Sequence, residues 1–179
     1  MTKVTNYLKR QKENMVGEID KNKIVRDMLD YAKEIMQSQK MYPWISMVVK
    51  NDVIISRGYN TIRETKDPTM FSGVTAVRWA QASLDPGNLE GCSLYGIFQP
   101  TLLDFDIALF AGIRDFVWCI SQADAPEHYT NVEYTPLDYL KLHPGEIKID
   151  LGRYKNEALE LLHEAKLKHY WNDSIYSRD

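Results

Sequence analysis

From residue 21 the apolar positions fall at helical spacing. Ile24, Met28, Leu29, Ala32, Ile35 and Met36 in "NKIVRDMLDYAKEIMQSQ" lie on one stripe, which predicts an amphipathic helix over about 21–39. The rhythm then changes. "PWISMVVK" and "DVIISRGYN" are short, β-branched apolar runs separated by Asn51-Asp52, the pattern of a hairpin with a tight turn. After a loop, "TIRETKDPT", helical spacing returns over 69–84, with Thr69 as its expected N-cap behind Asp67-Pro68. "GCSLYGIF" reads as a third strand, "LLDFDIALFAGI" as a helix ending near Gly112, and "DFVWCIS" as a fourth strand. Strands separated by helices of this length predict parallel strands in a sheet covered on both faces. Beyond residue 125 the pattern gives a loop, a short helix in "PLDYLKLH", a strand in "EIKIDL" and a helix over 153–170. Residues 1–18 read as a flexible tail and 19–179 as one domain, without internal repeats.

Composition narrows the picture only a little. The 179 residues, 44% hydrophobic and 26% charged, suit one domain with a full-sized core. The formal net charge is -3 and the basic residues are scattered, so no nucleic-acid surface is expected. Cys92 and Cys119 both sit in apolar runs, which fits a reducing compartment better than a disulfide framework. The polar N-terminus lacks a signal peptide's apolar core, and no stretch is apolar enough to span a membrane. The expected setting is the cytoplasm.

The order of elements and the residues at their joints resemble the cytidine deaminase-like superfamily, within it the branch of guanine deaminases and tRNA adenosine deaminases. The residues that carry the resemblance are "PWISMVVKNDVIISRGYN", "DPT", "GCSLY", the proline of "QPTLL" and "AGIRDFVW", spread over 43–119. The resemblance implies a three-layer α/β/α fold, a mixed five-stranded sheet with helices on both faces, and a pocket where two helix N-termini meet. That family keeps its chemistry in H-x-E followed by P-C-x-x-C: a His and two thiolates hold zinc, and the glutamate moves protons between the metal-bound water and the leaving amine. Here the corresponding stretches are Phe71-Ser72-Gly73 and Pro100-Thr101-Leu102-Leu103-Asp104. All four functional positions differ, so neither zinc nor any other cofactor is expected, and nucleobase deamination is not.

Several residues could still form a site. By the resemblance, Asn60 matches the asparagine that contacts the substrate base or its sugar; an Asn at a strand end is equally a routine turn former. Asp104 lies in the first turn of its helix, where a carboxylate is stabilised by the helix dipole, and it is the one candidate acid/base group in the pocket. Phe71 would either stack on a flat ligand or plug the space, and Thr101 reads most simply as an N-cap. Asp106, two positions from Asp104, points to another helix face, so the two do not make a cation site. Asp124 and Glu127 follow the fourth strand, where open α/β sheets place ligand-contacting loops. Arg78 and Trp79 read as packing or interface residues, His128 and His143 as isolated loop residues, and His163 and His169 as helix-surface residues. The resemblance further implies that the C-terminal segment, 153–179, with its aromatic "HYWNDSIY", covers a partner subunit's pocket. Unsatisfied apolar surface on the first helix and "RWAQASL" predicts a homodimer. Two functions follow: a pseudoenzyme that binds a small heterocyclic or nucleobase-like ligand or supports a partner, and a metal-independent enzyme using Asp104 as acid/base and Asn60 to hold the substrate.

Overall fold

The computed structural model describes residues 3–84, 88–128, 135–142 and 146–171, with side chains from residue 21 onward. The chain builds α1 (Lys3–Gln39), the hairpin β1 (Ile45–Lys50) and β2 (Val53–Tyr59), a one-turn α2 (Ile62–Thr65), α3 (Ser72–Ser83), β3 (Cys92–Phe98), α4 (Leu102–Phe110), β4 (Asp115–Ile120), α5 (Pro136–Leu142), β5 (Lys148–Leu151) and α6 (Lys155–Leu167). The predicted hairpin is present. Asn51 and Asp52 both adopt positive φ, 49° and 61°, a turn conformation for which Asn and Asp are suited.

The five strands form one mixed sheet in the order β2-β1-β3-β4-β5. β1 is antiparallel to both β2 and β3, whereas β3, β4 and β5 run parallel. The strands before and after α3 therefore do run the same way, as the helix between them implies, but β1 is inserted between them. Alternation along each strand divides the core in two. Met47, Tyr95, Ile97, Val117 and Cys119 face the side covered by α1 and α6. Val48, Leu94, Phe116 and Trp118 face α3 and α4. All six apolar positions predicted for the first helix are buried against the first of these sides.

Three element boundaries differ from the sequence reading. α1 begins at Lys3 and extends over the stretch read as a tail. α2 forms inside the predicted loop. α3 starts at Ser72 with Phe71, not Thr69, in the N-cap position. Thr69 is diverted because its amide and hydroxyl both donate to the Asp67 carboxylate, at 2.9 and 2.6 Å, and this local turn ends before the helix begins.

α3 lies directly on the hairpin. A Cβ on Gly58 would come within 2.5 Å of both the Ala76 amide nitrogen and the Ser72 carbonyl oxygen. Ser56, two residues earlier on the same strand, donates its hydroxyl to the Ala76 carbonyl at 2.7 Å. This contact fixes where the N-terminus of α3 points. Because backbone lies on both sides and cannot give way, Gly58→Ala should destabilise the fold by about 3 kcal/mol, the upper end for overpacking, in equilibrium urea denaturation.

Candidate functional site

At the carboxyl ends of β2 and β3, the N-termini of α3 and α4 meet over the sheet. A helix start exposes backbone amides that no turn of its own can satisfy. At α3 the N-cap residue is Phe71, which has no side-chain acceptor, so the cap comes from elsewhere. Asn60, 1% exposed, accepts the Ser72 amide on its Oδ1 at 2.7 Å. Asp104, 4% exposed, accepts the Val74 amide on its Oδ1 at 2.9 Å and also receives the Gly73 amide. The other oxygen of the same carboxylate serves α4. Asp104 Oδ2 accepts the Thr101 amide at 3.1 Å and the Thr101 hydroxyl at 2.7 Å, and Thr101 Oγ1 in turn accepts the Asp104 amide at 3.2 Å. Thr101 and Asp104 thus form a capping box, as the expected N-cap role of Thr101 implies.

One carboxylate therefore closes two helices. Burial pushes the Asp104 carboxyl above its ordinary range, while the hydrogen bonds from Thr101, Val74 and Gly73 pull it down. The space is equally committed. A Cβ at Gly73 would meet Asp104 Oδ1 at 2.5 Å and Asp104 Cβ and Cγ at 2.8 Å each. Behind α3, the hydroxyls of Ser46 and Ser72 share a buried hydrogen bond of 2.9 Å.

Two further groups lie at this junction. Phe71 is only part-buried, and it is absent from both core clusters and from the partly buried side chains packed on them. The Asn60 amide nitrogen is buried with no hydrogen-bond partner.

The donor set does not fit zinc. Positions 71, 73, 101 and 104 offer a phenyl ring, no side chain, one hydroxyl and one carboxylate, and the hydroxyl and carboxylate are already spent on helix caps. An open tetrahedral site takes about three imidazole, thiolate or carboxylate ligands. Among the described residues, no three His, Cys, Asp or Glu side chains gather into such a group.

The other candidates lie apart from this junction. Asp124 accepts from the Ser121 amide and hydroxyl and is paired with Lys155 of α6 at 2.5 Å, contacts that hold its carboxyl down at about 2. Glu127 pairs with Lys166 of α6 at 2.5 Å. Both loop carboxylates thus tie the segment after β4 to the last helix. Arg78 and Trp79 are exposed on α3, Asp106 on α4, and His163 on α6, with His169 exposed just beyond it. His143 and residues 172–179 lie outside the described residues.

His128 is not the isolated loop residue the sequence suggests. It ends a one-turn 3₁₀ helix, Pro126–His128, and is 7% exposed. The rings of Tyr42, Trp44 and Phe98 surround it at centroid distances of 5.4, 6.1 and 6.1 Å. Its neighbours come from distant parts of the chain, so no local pattern marks it.

No family model matches the chain. Over 58 residues it is 36% identical to a tRNA-specific adenosine deaminase of Aquifex aeolicus (strain VF5), a match covering 32% of this chain and 38% of that protein. Over 85 residues it is 29% identical to a guanine deaminase of Bacillus subtilis (strain 168), covering 48% of this chain and 54% of that one. The matches thus span about half or less of each curated relative. The solved guanine deaminase from Nitrosomonas europaea superposes with a TM-score of 0.66 at 20% identity, over 78% of this chain and 82% of that one. The chain has the deaminase fold.

The buried imidazole generates a pH prediction. Burial lowers the His128 pKa below 6.5; the Glu127 carboxylate pulls it part of the way back up, and the Lys166 charge, the least of the three, lowers it. The folded state therefore binds this proton less readily than the unfolded chain. The associated stability is complete above pH 6.5 and declines as pH falls towards the lowered folded value. The urea midpoint should drop between about pH 7.5 and pH 5.5, and His128→Phe should flatten that drop.

Proposed function

We propose that this protein is a zinc-free member of the deaminase fold which does not deaminate nucleobases and instead binds a small, flat heterocycle. The observation that carries this reading is the pairing of a part-exposed Phe71 ring with the partnerless amide nitrogen of Asn60. The two are joined through Ser72, which follows Phe71 in the chain and donates to Asn60. A ring offers a stacking face, and a buried amide N–H offers a donor to an acceptor on the ligand's edge. Purines and pyrimidines carry both features, and the relatives named above act on purine bases. Thr101 borders the same junction, whereas Asp124 and Glu127 hold the loop after β4 to α6. The buried, free thiols of Cys92 and Cys119 are consistent with a cytoplasmic setting.

A second reading keeps Asp104 as an acid/base group in a metal-independent reaction. Its burial and raised pKa favour that reading. The commitment of both its oxygens to backbone amides favours the first, because a proton carrier must reach the substrate.

Self-association supports either function. Among the described residues no helix is long and apolar enough to cross a membrane. α4 is apolar nearly all round, and its outer side leaves Leu102 and Leu103 half-exposed and Phe110 91% exposed, beside α3 with Trp79 at 44%. Surface of this kind belongs at an interface, and a homodimer through α3 and α4 would cover it.

The ligand reading is tested by thermal shift against purines, pyrimidines and pterins, in which a ligand should raise stability in proportion to the logarithm of its concentration over its dissociation constant. Phe71→Ala and Asn60→Ala should each weaken that ligand by tenfold or so, about 1.4 kcal/mol. Phe71→Ala should cost far less stability than the about 3–5 kcal/mol of a buried phenylalanine. A Phe71→Ala variant that loses that much stability and no affinity rejects the reading. Elemental analysis should find below about a tenth of an equivalent of zinc, and cytidine, guanine and adenosine should release no ammonia above background. Light scattering should show a dimer at about 10 µM, weakened by Phe110→Asp; a monomer at that concentration rejects the interface.

A further inference from the structure

We infer that Asp104 is the resident anion of the α3–α4 junction and that it forms a single unit with Gly73, so that neither residue can be exchanged alone. The inference is independent of what the protein binds. It rests on two observations that constrain each other. First, the carboxylate is the common acceptor for the free amides of two helices: Gly73 and Val74 on α3, and Thr101 on α4. Helix N-termini carry partial positive charge, and two of them converging where water is excluded repel each other unless an anion stands between them. Second, the carboxylate takes the volume that any side chain at position 73 needs, to the point that a bare Cβ there falls 2.5–2.8 Å from three Asp104 atoms.

Asp104 cannot step aside. One of the three atoms is its Cβ, whose position is set by the α4 backbone, and both oxygens are held by hydrogen bonds to both helices. Any residue larger than glycine at position 73, a glutamate included, thus collides with the anion that closes the junction. Conversely, truncating Asp104 leaves the amides of two helix starts without an acceptor. The disagreement with zinc is therefore built in: the junction already holds its counter-ion, and that counter-ion occupies the place of the residue at 73.

The test is a double-mutant cycle read by urea denaturation, with formate as a soluble replacement for the missing carboxylate. In the wild-type background Gly73→Ala should lower the folded-to-unfolded ratio by about tenfold or more, as overpacking does. In the Asp104→Ala background the same change should be neutral or favourable, by up to about fivefold, since alanine is the better helix former. Equal cost in both backgrounds overturns the interlock. Formate should restabilise Asp104→Ala saturably, raising the ratio about elevenfold at ten times its dissociation constant, and should leave the wild type unchanged relative to equimolar chloride. If Asp104→Ala does not fold in chloride, recovery of its helical circular dichroism in formate supports the inference. Failure to recover in either salt, or equal recovery in both, overturns it.

Discussion

Two helix N-termini brought together over the end of a sheet present a dry space with several unsatisfied amide donors and a positive potential. Leaving one buried donor without an acceptor costs about 1–3 kcal/mol, so the junction holds only if something negative stands in it. Asp104 is that group, and its neighbours follow from it. Gly73 has no side chain because the carboxylate lies where one would go. Thr101 completes the capping box of α4. Asn60 takes the Ser72 amide at the start of α3. The part-exposed Phe71 is the N-cap residue of α3, with its cap supplied by others.

The placement of the junction is a consequence of the sheet. Parallel β3 and β4 end on the same side as β2, so the connections that leave them start there too. The side facing α3 and α4 is polar at this end, with Ser46, Ser72, Asn60 and Asp104 buried. The opposite side is aromatic, with Trp44 and Phe98 rings 4.1 Å apart and His128 packed beside them. Lys155 and Lys166 then hold the segment after β4 against α6.

The chain has the deaminase fold, and at its two helix starts positions 71, 73, 101 and 104 carry a phenyl ring, no side chain, a hydroxyl and a carboxylate. A metal with its ligands and a capping carboxylate both put charge-compensating groups at converging helix ends. They differ in what they leave for chemistry. A metal with an open position activates water. A carboxylate with both oxygens engaged keeps the two helices in place.

The strands, the hairpin and the longer helices were legible in the sequence because each rests on local periodicity, whereas α2 and the first half of α1 were not. Met47 and Val48 face opposite sides of the sheet whatever the rest of the chain does, and Asn51-Asp52 turns the hairpin by its own backbone preference. The residues of the junction were legible as well, as a helix cap at Thr101 and a carboxylate in the first turn of the same helix. What the sequence could not reveal is that this carboxylate also caps a helix thirty residues earlier, that Asp124 and Glu127 belong to lysines 31 and 39 residues on, or that His128 lies among three distant rings. Even the start of α3 was misplaced, because its caps are Asn60 and Asp104 and neither adjoins it in the chain. A hydrogen bond within a turn is set by neighbouring dihedrals, whereas an acceptor supplied from another element exists only once the sheet has brought the two helix ends together.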